Sequence, residues 1–176
     1  LHNTLFPYTT LFRSEEVEVI KAIDMSGKTP DWGDFTNDLA IEITYMPVGR
    51  DLPFEPSIYI GQDFKIGADG EKEWGGAYFV AQAVKTILGG ADFELAADDT
   101  FQQETLRQLI GQKYLQVSYR SEDVKDDGNN RIKAWRTPIK QQEGETVEEA
   151  RERDADKFRR SYLDSGYPKD YLREDQ

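Results

Sequence analysis

The 176-residue chain contains no cysteine and a single histidine. Without cysteine there is no disulfide framework, no thiolate metal site and no thiol nucleophile. The lone histidine is His2, just ahead of residues 4–14, TLFPYTTLFRS. That string reads, codon for codon, as the translation of a common short-read sequencing-library adapter. Residues 1–14 are therefore expected to be an adapter-derived artefact, with the native chain starting near Glu15. The native portion then has no histidine, the usual general base near neutral pH, which excludes Ser-His-Asp and Cys-His catalysis. Any enzymology left would need carboxylates, lysine or tyrosine, as in a Mg²⁺-dependent nuclease built from Asp and Glu. Long apolar runs are missing too. None approaches the roughly 18 residues that span a bilayer, and no segment has the charged and apolar regions of a secretion signal. The expectation is a soluble, cytoplasmic protein without catalytic residues, cofactor, metal or membrane partner.

What is present points to a folded domain. The chain is 38% hydrophobic and 12% aromatic, and its length suits one domain over 15–140 with an appendage over 141–176. EEVEVIKAI, from Glu15, is β-rich, and SGKTPDWGDF after it is a long irregular connection. In DLAIEITYM, Leu39, Ile41, Ile43 and Tyr45 alternate with Ala40, Glu42, Thr44 and Met46, the period of a half-buried strand. Pro47, Pro53 and Pro56 end it. SIYIG is a third strand, with Tyr59 on the face opposite Ile58 and Ile60, and IGADGE is a turn. The period then changes: Ala77, Val80, Ala81, Val84, Ile87 and Leu88 fall on helical spacing, closed by Gly89 and Gly90. TFQQETLRQLI predicts a second short helix, with Thr100 and Gln103 at capping-box spacing. QKYLQVSYR and NRIKAWRTPI flank VKDDGNN, which is hairpin punctuation. Five strands with helices between the third and fourth make an all-β to α+β chain, in the order of a five-stranded oligonucleotide-binding (OB) barrel. Other small α+β sheets share that order. Beyond Lys140 the chain is highly polar; Thr146 and Glu149 form a capping box, and Val147, Phe158 and Tyr162 are the thin apolar stripe of a charged helix.

The net charge of −12 is unevenly spread. Residues 15–111 carry a balance of −12 and residues 141–176 a balance of −4, but residues 112–140 carry +3. There Lys113, Arg120, Lys125, Arg131, Lys133, Arg136 and Lys140 are interleaved with Tyr114, Tyr119 and Trp135. Alternation puts Arg131, Lys133 and Trp135 on one face, opposite Ile132 and Ala134. Stacking a base on an aromatic ring contributes about 1–3 kcal/mol, and neighbouring cations can follow the phosphates. The candidate nucleic-acid-binding residues are thus Lys113, Tyr114, Arg120, Arg131, Lys133, Trp135 and Arg136, extended by Tyr59 and Lys65. Against this stands the acidity of the whole chain, which disfavours a polyanion, although a Debye length of about 8 Å lets a basic groove act locally. Trp135 also has a plain reading as a core residue between snorkelling Arg131 and Lys133 stems.

The stretches NDLAIEITYM, SIYIGQDFK, EWGGAYFVAQAV, LIGQKYLQVSYR and NRIKAWRTPIK, over 37–140, resemble phage-encoded single-stranded-DNA-binding proteins of the OB type. The resemblance implies a non-catalytic protein that coats single-stranded DNA during replication or recombination in the host cytoplasm. It also implies an acidic C-terminus that contacts replication or recombination proteins; here Arg151, Arg153, Arg159 and Arg160 depart from a purely acidic tail. The competing class is a virion or assembly protein that uses a small barrel to bind protein. Other motifs are weaker. GQDFKIG at 61–67 lacks the Lys-Ser/Thr of a phosphate loop. The Asp123, Asp126, Asp127 and Asn129 cluster lacks the ordered ligands of a calcium loop. The runs Glu71-Lys72-Glu73 and Asp98-Asp99 read as solvated charge, and Trp32 and Trp74 are expected to plug the barrel ends.

Overall fold

The computed structural model describes residues 12–124, 130–139, 141–146, 148–150 and 152–153; for 12–14, 117–124 and 130–137 it describes the backbone. The strands are β1 (Phe12–Asp24), β2 (Leu39–Pro47), β3 (Ser57–Gln62), β4 (Lys65–Ile66), β5 (Lys72–Glu73), β6 (Lys113–Val124) and β7 (Asn130–Ile139). The helices are α1 (Ala77–Ile87) and α2 (Gln103–Leu109). Five strands hydrogen-bond in the order β3-β2-β1-β6-β7, with β4 and β5 in a separate hairpin. The β1·β2, β2·β3 and β6·β7 registers are all antiparallel. Within that sheet, β6-β1-β2-β3 is the spatial order of a Greek key, its fourth strand returning beside the first after a long connection. The protein is mostly β, and both helices fall in that connection. Strand β1 starts at Phe12, so the last three residues of the TLFPYTTLFRS string belong to the same strand as EEVEVIKAI.

Contacts divide the chain into two compact units, one of Glu16–Tyr114 and one of Leu1–Glu15 with Leu115–Gln176. In the first, β2 is the centre. Leu39, Ile41, Ile43 and Tyr45 are all 3% exposed or less, as their alternation predicts. Ala40 and Thr44, on the alternate positions, are buried as well. The β1–β2 connection explains Ala40: Met25 N–H donates to its carbonyl at 2.9 Å, and the Ser26 hydroxyl accepts from its N–H at 3.1 Å. In β1 the register slips between Val19, opposite Tyr45, and Lys21, opposite Thr44, leaving Ile20 as a bulge. The slip reverses the alternation, so Val17 and Val19 face the core before it and Ala22 after it. Helix α1 packs on β2 and β3 through Ala77, Val80, Val84 and Ile87, all buried at helical spacing. Its end is a Schellman turn: Gly90 N–H donates to Lys85 O and Gly89 N–H to Thr86 O, with Gly89 at φ +70, where only glycine is unstrained. Helix α2 adds Leu106 and Leu109 to the same core.

The expected Thr100–Gln103 capping box is not formed. Gln102 is the N-cap of α2 and makes no side-chain cap bond. Thr100 is engaged elsewhere, its hydroxyl donating to Asp98 Oδ1 at 2.6 Å and its carbonyl accepting from Ala96 N–H at 2.8 Å. Trp32 and Trp74 are no plugs either, at 63% and 46% exposed; Trp32 rides on the β1–β2 connection and Trp74 on the turn before α1.

In the second unit, the β6·β7 ladder runs without a slip from Leu115 opposite Ile139 to Val124 opposite Asn130. Leu115 and Ile139 are buried with Ala150 in a small cluster. The Thr146–Glu149 box is present in both directions: Glu149 N–H donates to Thr146 Oγ1 at 3.2 Å and Thr146 N–H to Glu149 Oε2 at 2.8 Å. Ala150 sits one turn further on, so the cap delivers the cluster's third member. Arg153 pairs with Glu145 at 2.7 Å, which gives one of the arginines that interrupt the acidic tail a structural task. The Val147, Phe158 and Tyr162 stripe lies outside the described residues.

Truncating Ile43 should leave a cavity at the sheet centre. Ile43→Ala is expected to lower unfolding free energy by about 2–5 kcal/mol, whereas Ile66→Ala, at a position 66% exposed, should change it by about 0.5 kcal/mol or less. Urea melts of the two variants, read as midpoints at unchanged slope, check the contrast.

Candidate nucleic-acid interface

Three aromatic rings meet on the surface of the Glu16–Tyr114 unit. Trp32 and Phe35 come from the β1–β2 connection and Tyr59 from β3. The ring centroids are 5.4 Å apart for Trp32–Phe35, 5.5 Å for Trp32–Tyr59 and 5.7 Å for Phe35–Tyr59. All three contacts are edge-to-face, the arrangement that ring quadrupoles favour. Trp32 and Phe35 remain 63% and 39% exposed, and Tyr59 is half-buried.

The backbone makes room for this cluster. A Cβ on Gly61 would lie 2.7 Å from the Tyr59 ring and 2.8 Å from Asn37 Oδ1. Gly61 sits two residues along β3, so the phenol lies down over bare backbone. A Cβ on Gly33 would likewise come within 2.5 Å of the Phe35 ring. The Tyr59 hydroxyl donates to Asn37 Oδ1 at 2.9 Å. Asn37 is itself held, its Nδ2 donating to Asp63 Oδ1 at 3.4 Å. Two carboxylates then lock the connection to the end of β3: Asp63 Oδ1 accepts from Asp38 N–H at 2.9 Å and Asp38 Oδ2 from Phe64 N–H at 3.0 Å. Burial, and after it the charge of Asp63, pushes the Tyr59 phenol above its ordinary value.

The residues expected from sequence do not come together as one surface. Tyr59 belongs to the cluster. Lys65 is in β4, opposite Glu73, and pairs with it at 3.2 Å, so its charge is answered within the small hairpin. Tyr114 is a correction: it is 5% exposed in the main core and offers no ring for stacking. Its position on β6, where the alternation turns toward the core of Glu16–Tyr114, is the reason. Lys113 beside it is exposed. The register puts Arg131, Lys133 and Trp135 in one alternation set of β7, with Asp123, Ser121 and Tyr119 opposite them. Arg120, opposite Ala134, and Arg136, opposite Ser118, fall in the other set. The side chains of these five predicted residues lie outside the described structure, as do Asp126, Asp127 and Asn129 of the hairpin tip.

The acidic runs set aside above have local partners. Lys72 pairs with Asp99 at 2.6 Å, and Asp98 holds Thr100. Among the described residues no group of three or more His, Cys, Asp or Glu is placed to hold a metal ion, and no helix is long and apolar enough to cross a membrane. Sequence reading missed Trp32 and Phe35. The available signal was two aromatics, Trp32 and Phe35, flanked by Gly33, Asp31 and Asp34 in one long loop, where a core plug would be difficult to bury.

Two predictions concern this geometry. Gly61→Ala should displace the phenol and change the near-ultraviolet circular dichroism as strongly as Tyr59→Leu, leaving the far-ultraviolet spectrum intact; an unchanged aromatic signal contradicts the packing. The raised Tyr59 phenol holds its proton more firmly folded than unfolded. Its contribution to stability is therefore full below the ordinary value of 10.0 and is lost as pH rises through the folded value. A difference titration between the parent and Tyr59→Phe should show ionisation above that ordinary value, shifted down in Asp63→Asn.

No protein-family model, curated protein or solved structure matches the chain.

Proposed function

We propose that the protein binds single-stranded DNA without catalysis, as an OB-type module of the kind phages use in replication or recombination. The observation that carries this reading is the exposed Trp32–Phe35–Tyr59 cluster. It lies where the β1–β2 connection meets β3, and OB modules bind oligonucleotides on the face of their second and third strands and on the loop between the first two. Edge-to-face packing leaves ring surface for successive bases, and stacking tolerates any base. The Greek-key strand order, with both helices between the third and fourth long strands, supports a barrel of this type. In this reading the cations of β6 and β7, Arg120, Arg131, Lys133 and Arg136, follow the phosphates, and Trp135 adds a second stacking ring.

One observation favours a protein-binding role in virion assembly instead. Lys65, Lys72, Lys85 and Arg107 each hold a carboxylate partner, so much of the positive charge of Glu16–Tyr114 is answered internally. Exposed ion pairs of this kind are weak, however, contributing about 0–1 kcal/mol, and open readily to a competing phosphate.

Titration of intrinsic tryptophan fluorescence with oligo(dT) separates the readings. Quenching that reverses with salt is expected. Trp32→Ala should weaken binding by about 1–3 kcal/mol, and Lys133→Ala should flatten the salt dependence by about 0.7 in log–log slope. If Trp135→Phe abolishes the quenching and Trp32→Phe does not, the site is on the hairpin. A folded protein that shows neither quenching nor an anisotropy change with labelled DNA belongs to the protein-binding class.

A further inference from the structure

Beside α1, within the Glu16–Tyr114 unit, a groove of about 510 Å³ runs between the helix and the segment that follows it. Trp74 and Tyr78 line it, 46% and 50% exposed, and its ionisable lining is Lys85, Asp92, Glu94 and Asp99. Phe79, 71% exposed, stands edge-on to Tyr78 at 6.0 Å and carries aromatic surface past the rim. Rings this exposed, contiguous with a groove, mark an interaction site more often than an isolated surface residue does.

The groove's charge has one sign left over. Asp92 pairs with Lys85 at 2.7 Å and Asp99 with Lys72 at 2.6 Å, which leaves the Glu94 carboxylate. Lys72 also shows what this corner can hold. Its ammonium stands 4.4 Å from the centroid of the Phe64 ring while contacting Asp99, and Phe64 in turn packs on Trp74 at 5.5 Å. A cation between a carboxylate and aromatic rings is thus already one solution used here.

We propose that the groove docks a basic peptide of a partner protein, with an arginine guanidinium over Trp74 or Tyr78 and Glu94 as its counter-ion. Arginine fits better than lysine because its planar guanidinium can stack on a ring and bond a carboxylate with two N–H groups. An apolar residue beside the arginine would meet Phe79. A nucleic-acid strand is a poor occupant, since its phosphates would face the Glu94 carboxylate left over by the two ion pairs, and a neutral ligand would make no use of the excess charge. The site shares no residue with the Trp32 cluster and does not depend on the DNA reading.

The test uses the full chain and an end-capped fluorescein peptide, Gly-Ser-Leu-Arg-Phe-Arg-Ser-Gly, against the same peptide with both arginines replaced by citrulline, a neutral isostere. Fluorescence anisotropy should show binding that weakens with salt, with the citrulline peptide at least about tenfold weaker. Glu94→Lys, on an exposed loop, and Trp74→Leu should each weaken binding by about tenfold, whereas Trp32→Phe should have no effect. Equal affinity for the citrulline peptide, affinity unchanged by Glu94→Lys in a folded variant, or no binding of the arginine peptide at millimolar concentration would each overturn the proposal.

Discussion

Two backbone hydrogen bonds at Val19 determine where the long connection must end. Its N–H donates to Gln112 O at 2.9 Å and its carbonyl accepts from Gly111 N–H at 2.8 Å. They bring the entry of β6 beside β1 and so make the Greek key. Closing a loop of this length costs entropy that grows only slowly with length. What offsets it is the apolar surface of α1 buried on β2 and β3, with Leu106 and Leu109 of α2 joining the same core. Gly111 makes the reversal between α2 and β6 possible, at φ +87, where a side chain would be strained. The neighbouring bulge matters as much. By leaving Ile20 out of register, it lets one strand present Val17 and Val19 to the core and then Ala22, so β1 pairs with β2 on both sides of the bulge, from Val17 to Asp24.

Much of this architecture was legible in the chain because it follows from periodicity. The period-two run of β2, the helical spacing of α1, its Gly89–Gly90 end and the Thr146–Glu149 box each depend on residues close in sequence, and each is found where local chemistry puts it. The failures have a different origin. The Thr100–Gln103 spacing is equally good on paper, but Asp98 lies only two residues away and its carboxylate takes both the N–H and the hydroxyl of Thr100, an Asx-type turn in place of a cap. Tyr114 reads as an exposed aromatic between basic residues, and its place in the main core is set by tertiary packing that no local pattern signals. The site suffered most. Trp32, Phe35 and Tyr59 come from two elements, and their meeting depends on Gly61 lacking a side chain, a steric fact that no spacing rule contains.

The acidity that seemed to argue against a nucleic-acid partner changes meaning once the carboxylates are placed. Asp38 and Asp63 accept backbone N–H groups and tie the β1–β2 connection to β3. Asp24 accepts from Ser26, Asp69 from Glu71 N–H and Asp98 from Thr100. The last three are turn-forming carboxylates, the task for which aspartate is common in loops, and others close ion pairs with Lys65, Lys72 and Lys85. A net charge of −12 therefore does not describe any one face of the molecule. What a ligand meets is set by the groups within about 8 Å of it, beyond which salt screens the rest. Near Tyr59 those groups include Asp38 and Asp63, already engaged with backbone donors, and also Asp31 and Asp34, exposed beside Trp32 and Phe35, whose charge the proposed DNA reading has to accommodate through screening. Near Trp74 the excess carboxylate is Glu94, which makes no such anchoring bond among the described residues. In the two proposals the same acidic composition accompanies one aromatic surface offered to the flat faces of bases and another offered to a cation, the second set apart by the groove that Glu94 lines.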